Sequence, residues 1–120
     1  MNLVKTIAAA AVVSVGMMAT ALAADIGGTY EVRGTNPDGS TYKGTAEITV
    51  TSKNTCRIVW NVGSESDGIC MRNGIAFAAS YVLGDNVGLV IYEVRDDGTL
   101  DGLWTVADKE GVGTELLIPQ

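Results

Sequence analysis

Between Gly28 and Ile118 the chain is broken by turn-forming clusters at intervals of about 8–12 residues, the spacing of an all-β sandwich or barrel. The clusters are Asn36-Pro37-Asp38-Gly39-Ser40, Ser52-Lys53-Asn54, the polar stretch from Gly63 to Gly68, Asn73-Gly74, Gly84-Asp85-Asn86, Asp96-Asp97-Gly98 and Lys109-Glu110-Gly111. Each residue type favours reversal for its own reason: Gly tolerates positive φ, Pro fixes φ, and Asn and Asp bond their own backbone two residues on. No segment between them is long enough, or periodic enough, for an amphipathic helix. Asn73-Gly74 is the strongest short hairpin signal, since a type I′ turn needs two positive φ values. The result is eight short strands joined by short links. Such links give antiparallel neighbours, and closure removes exposed edges. The expected fold is therefore an eight-stranded antiparallel up-and-down meander closed into a small barrel.

Alternation within the strands assigns faces. From Thr41 to Thr51, Tyr42, Gly44, Ala46, Ile48 and Val50 point one way, and a row of Thr, Lys and Glu points the other. Tyr30 and Val32 share a face in the first strand, as do Cys56, Ile58, Trp60 and Val62 in the third. Glycines at 44, 88, 102 and 113 mark bends of a barrel wall. Tyr30, Tyr42, Trp60, Phe77, Tyr81 and Trp104 fall on apolar faces. A barrel of eight strands is just wide enough to be filled by such side chains or to hold one small ligand, so these six either form core or line a cavity for a small hydrophobic molecule. A short echo, Glu31-Val32-Arg33 before Asp38-Gly39-Ser40 and Glu93-Val94-Arg95 before Asp97-Gly98-Thr99, reflects either duplication or shared hairpin chemistry.

Residues 1–23 read as a signal peptide rather than structure. Met1 to Lys5 is a short basic start, Thr6 to Thr20 is an apolar run rich in Ala and Val, and Ala21-Leu22-Ala23 is the small-x-small pattern before a cleavage point at Ala24. The folded unit is then a single domain over 24–120, with Lys5 gone and a net charge one unit more negative than the −6 of the whole chain. An acidic exported domain is a poor match for nucleic acid, which needs a basic footprint, and for anionic membrane surfaces. No membrane insertion of the mature chain is expected, and its place is periplasmic or secreted. In an oxidising compartment the two cysteines, Cys56 and Cys70, are expected to pair. Closing a loop of about 15 residues stabilises by about 3 kcal/mol in the chain-entropy model.

The sequence contains no histidine. That removes the usual general base near neutral pH, the Ser-His and Cys-His nucleophile pairs, and the ordinary zinc or copper ligand. Asp96, Asp97 and Asp101 cluster in sequence. An Asp-Asp-Gly turn matches neither the carboxylate geometry of a glycosidase nor the loop of an EF-hand, and reads as a solvated turn. No catalytic residue, metal site or cofactor is expected.

The strands Ile75 to Val82 and Val87 to Val94 are apolar on both faces. Ala76 and Ala78 on one and Val90 and Tyr92 on the other are expected to form an outer patch for a protein partner or a second copy. Met71 and Arg72 beside it offer a flexible apolar contact and a guanidinium anchor.

Several segments carry a resemblance: Gly28-Thr29-Tyr30-Glu31-Val32, Asn36-Pro37-Asp38-Gly39-Ser40, Gly68-Ile69-Cys70-Met71-Arg72 and Gly98-Thr99-Leu100-Asp101-Gly102-Leu103-Trp104. With these the chain resembles a group of small exported proteobacterial proteins, some labelled fibronectin-binding protein. The likeness implies binding rather than catalysis and transfers no residue. In architecture the chain is also similar to small periplasmic inhibitors of bacterial metalloproteases, eight-stranded barrels with one disulfide. That likeness implies an alternative in which Ala24-Asp25-Ile26-Gly27 is a tail entering a protease cleft. The reading as a whole is a non-catalytic exported barrel that binds a protein or a small hydrophobic ligand.

Overall fold

The computed structural model describes residues 26–120. The expected signal peptide and its cleavage point before Ala24 lie outside the described residues. Eight strands follow in order: β1 (Gly28–Thr35), β2 (Thr41–Val50), β3 (Thr55–Asn61), β4 (Glu65–Asn73), β5 (Ala76–Leu83), β6 (Asn86–Val94), β7 (Leu100–Val106) and β8 (Gly113–Pro119). Each pairs antiparallel with the next, and β8 pairs with β1, so the meander closes into a barrel. Four connections, 36–40, 62–64, 84–85 and 107–112, gather at one end, called the upper mouth below. The chain start at Ile26 and the connections 51–54, 74–75 and 95–99 gather at the other.

Inward positions alternate along every strand. Val32, Ile58, Phe77, Leu100 and Leu117 are fully buried in the interior. Cys56 on β3 stands opposite Cys70 on β4 in the strand register, and the two are disulfide-bonded inside the wall with Cα atoms 4.9 Å apart. Ile26 is buried at the lower end, where its carbonyl accepts a hydrogen bond from the Tyr30 hydroxyl at 2.6 Å. Of the residues expected to form a free tail, Ala24 and Asp25 lie outside the described residues and Ile26 is part of the core.

The wall bends where glycine faces an aromatic ring. Tyr42, Tyr81, Tyr92 and Trp104 stand in register with Gly34, Gly88, Gly102 and Gly113 on the adjoining strand. A Cβ at any of these four glycines would overlap the facing ring, so ring and glycine together let large side chains fit a narrow interior.

Two local expectations shift. The stretch from Gly63 to Gly68 is not all loop, because β4 begins at Glu65 and pairs with β3 through Asn61↔Glu65. A three-residue connection with Gly63 at φ 100° suffices, and polarity alone does not mark a loop. The next hairpin turns on Gly74-Ile75 rather than Asn73-Gly74, with only Gly74 at positive φ, the pattern of a type II′ turn. This register sets small Ala79, rather than Phe77, opposite the disulfide-bonded Cys70.

The 36–40 and 95–99 turns share their bonds. Asn36 N donates to Ser40 O and Gly39 N to Asn36 O, as Arg95 N does to Thr99 O and Gly98 N to Arg95 O. Oδ1 of Asp38 and of Asp97 each accept the backbone N–H two residues on, at 2.9 Å. One turn follows β1 and the other β6, at opposite ends of the barrel, and the two share one hairpin chemistry.

Val90 and Tyr92 correct the expected outer patch. Both are 2% exposed and point into the barrel. Alternation could not decide β6, because Gly88, Val90 and Tyr92 on one face and Val87, Leu89 and Ile91 on the other are equally apolar. Pairing decides it: Tyr92 stands beside Phe77 and opposite Gly102, inside the wall. Arg72 shares the inward phase of Cys70, at the lower rim, where its Nε donates to the Gly74 carbonyl at 2.8 Å.

Candidate functional site

Among the described residues, Glu115 is the one charged or polar residue that is buried, at 7% exposure. It sits on β8 in phase with Gly113 and Leu117, which are also inward. Three strands across the interior supply donors to it. The Tyr42 hydroxyl on β2 donates to Oε1 at 2.8 Å, and the Trp60 indole Nε1–H on β3 donates to Oε2 at 3.0 Å. The Tyr92 hydroxyl on β6 also donates to Oε2. All three donors are neutral, and among the described residues no Lys or Arg is paired with this carboxylate.

The site raises its tyrosines. Burial, and then the Glu115 charge, disfavours a second anion, so the Tyr42 and Tyr92 hydroxyls are held far above the ordinary tyrosine value. Tyr81 is pushed up to about 12 by the same two causes in the same order. These hydroxyls therefore remain protonated donors at any physiological pH.

Above Glu115 the barrel is not filled. A cavity of about 340 Å³ at the upper mouth is lined by residues that include Tyr42, Trp60, Tyr81, Trp104, Val90 and Glu115, with Asn36, Ser64 and Ser66 as polar contacts. Two edge-on aromatic pairs shape it: Tyr42 with Trp104 at 6.2 Å and 73°, and Trp60 with Tyr81 at 5.3 Å and 64°. The indole of Trp104 is fixed by a hydrogen bond from its Nε1 to the Thr114 carbonyl at 3.2 Å. A larger depression of about 660 Å³ lies at the lower end, around Ile26, Val50, Lys53 and Arg72. The upper cavity is the better candidate, because it combines four aromatic walls with a buried carboxylate, the arrangement of a small-molecule site.

All six aromatic residues expected as core or cavity lie inside the barrel. Tyr30 and Phe77 belong to the packed interior, and Tyr42, Trp60, Tyr81 and Trp104 line the cavity. Glu115 is the residue that sequence reasoning missed. Its alternation with Leu117 placed it inward, but Leu116 and Ile118 made the opposite phase equally plausible.

Outside the barrel, Met71, Ala78, Ile91 and Leu103 stand in one register row across β4, β5, β6 and β7. Met71, Ile91 and Leu103 are more than half exposed, and Ala76 and Ala78 also face outward. The exposed apolar side chains of β6 are thus Leu89 and Ile91 rather than Val90 and Tyr92. The acidic turn is structural: Asp97 bonds to Thr99, which holds its carboxyl below the usual range, and Asp101 pairs with Arg95. Among the described residues no three His, Cys, Asp or Glu side chains converge on a metal-sized site.

No family model and no curated protein matches the chain. Among solved structures it is similar to a de novo designed fluorescence-activating β-barrel, at TM-score 0.66 and 20% identity over 82% of this chain and 97% of that one. It is also similar to a redesigned β-barrel, at TM-score 0.66 and 20% identity over 79% of this chain and 91% of that one. At this identity the likeness concerns the fold.

Proposed function

We propose that the protein is an exported, non-catalytic barrel that binds a small, partly apolar molecule in its upper mouth. The observation that carries this reading is an aromatic-walled cavity of about 340 Å³ with the buried, hydrogen-bonded Glu115 carboxylate in its lining. A closed barrel with a packed core and an unfilled upper mouth is a preformed cup, and a preformed site spends little free energy on ordering. The likeness to a designed barrel described as fluorescence-activating supports the barrel fold on which this reading rests. The disulfide points to an oxidising, non-cytoplasmic environment, and the N-terminal pattern supports export to the periplasm or beyond. The absence of histidine from the sequence and the structural use of Asp97 and Asp101 favour binding over catalysis. The test is the indole N–H resonances of Trp60 and Trp104 during titration with small aromatic compounds. Saturable shifts support the reading, and indoles indifferent to every compound overturn it.

A second reading concerns the outer row Met71, Ala78, Ile91 and Leu103, continued by Ile69, Val82, Val87 and Leu89. These positions carry no charge in a chain whose net charge is −6. They form the least charged part of the wall, bordered by Asp67 beside Val82 and Glu93 beside Ala76, and self-association through this face is the occupant we infer for it.

A further inference from the structure

We propose that the upper cavity selects a small organic cation, an ammonium group carried on a compact apolar body, with Glu115 as its counter-ion. This rests on the ligand-binding reading above and narrows it to a chemical class. A buried carboxylate is costly unless its charge is compensated. Here three neutral donors share it, and no cationic side chain is paired with it among the described residues. A carboxylate offers about four acceptor sites. Oε2 accepts from both Trp60 and Tyr92 and Oε1 from Tyr42, so one site on Oε1 is left to an N–H donor entering the cavity that Glu115 lines.

The walls suit the same ligand. Tyr42, Trp60, Tyr81 and Trp104 surround the space with electron-rich rings, which attract ammonium groups and tolerate their apolar substituents. The hydroxyls of Tyr42 and Tyr92 cannot supply a compensating positive charge, and they stay neutral. An anionic ligand would meet Glu115 with no cation among the cavity-lining residues to offset the repulsion. A neutral ligand of equal shape would leave the carboxylate as uncompensated as before. The network also fixes the carboxylate's position from three strands, so the counter-ion is preorganised rather than recruited.

Benzylammonium, benzyl alcohol and benzoate share one aromatic body and carry charges of opposite sign or none. Titration of the intact disulfide-bonded protein with each at millimolar concentration, read on the Trp60 and Trp104 indole N–H signals, separates the possibilities. Benzylammonium is expected to bind roughly tenfold more tightly than benzyl alcohol, with benzoate weakest. Glu115→Gln, checked for fold by circular dichroism, should abolish the preference for the cation while retaining weak binding of benzyl alcohol. Trp104→Leu, which removes a ring from the wall but no hydrogen bond to Glu115, should weaken benzylammonium about fivefold. If benzyl alcohol or benzoate binds as well as benzylammonium, or if folded Glu115→Gln keeps the preference, the cation inference fails while the ligand-binding reading stands. If none of the three shifts either indole, the cation inference fails, and the ligand-binding reading falls only if the wider series of aromatic compounds is silent as well. Should Glu115→Gln not fold, the wild-type probe series and Trp104→Leu still decide the matter.

Discussion

Tyr92 on β6 and Glu115 on β8 are joined across the barrel interior, the Tyr92 hydroxyl donating to the same Oε2 that accepts the Trp60 indole N–H. Both are almost fully buried, and removing the hydroxyl strips a charged acceptor of one of its three donors. Tyr92→Phe is expected to lower stability by about 1–3 kcal/mol. Urea unfolding followed by tryptophan fluorescence measures it. In a double-mutant cycle with Glu115→Gln, the two losses should be less than additive, because both variants remove the same interaction. Additive losses would show that the hydroxyl and the carboxylate are not coupled.

Cys56 and Cys70 face each other in the β3–β4 register, 14 residues apart in sequence. Converting both to Ala should lower stability by about 3 kcal/mol, most of it from the freed unfolded chain. The urea midpoint of the wild type should fall on reduction to near that of the double variant, whose own midpoint should ignore the reductant. Equal midpoints for oxidised wild type and double variant would mean that the staple contributes nothing.

How much could be read in advance depended on whether one face of a strand was polar. On β2 the outward row of Thr, Lys and Glu fixed Tyr42, Ala46 and Ile48 inward, and the structure places them there. On β3, Arg57 and Asn61 did the same for Cys56, Ile58 and Trp60. On β6 both faces are apolar, and the choice was made by contacts remote in sequence, Phe77 and Gly102, which alternation does not contain. Glu115 lay hidden for the converse reason. A carboxylate between Thr114 and Leu116 reads as solvent-facing until three donors from β2, β3 and β6 are brought to it by closure. Closure itself was legible, because every connection was short.

The pairing of Tyr92 with Gly102 makes the glycine a steric requirement. A Cβ at Gly102 would press on the Tyr92 ring at 2.5 Å and on the Ile91 carbonyl oxygen at 2.8 Å. Gly102→Ala should therefore cost about 1–3 kcal/mol as an overpacked core position. Because the ring must move, the Trp60 indole N–H signal, which reports on the shared Oε2, should shift as well. A variant with wild-type stability and an unmoved Trp60 signal would contradict the packing described.

Tyrosine ionisation gives the pH dependence. Tyr42, Tyr81 and Tyr92 have folded-state values above the ordinary value of about 10, Tyr81 at about 12. The native state thus holds these protons after the unfolded chain has begun to lose them. Their contribution to stability is complete below about pH 10 and is lost as pH rises through the folded values. Absorbance at the tyrosinate band should show Tyr42, Tyr81 and Tyr92 un-ionised at about pH 11 while the fold persists. Denaturant midpoints should decline steadily above about pH 10. Ionisation of Tyr42, Tyr81 and Tyr92 near that pH in the folded protein would refute the burial of these rings around Glu115.

The outer row makes a prediction of another kind, about assembly rather than stability. Ile91 and Leu103 lie in register on β6 and β7 and are 56% and 54% exposed, with Met71 and Ala78 extending the row across two more strands. Side chains this apolar on an open wall lose water-exposed area only if something covers them, and the uncharged row is where a second acidic copy meets least repulsion. Sedimentation velocity should show a concentration-dependent dimer. Ile91→Lys places a cation in the centre of the row and should shift the equilibrium to monomer, with little loss of fold because the side chain points to solvent. Thr45→Lys, on the polar wall of β2, should leave the dimer intact. A wild type that stays monomeric at high concentration, or a dimer that ignores Ile91→Lys but yields to Thr45→Lys, would remove this face as the contact.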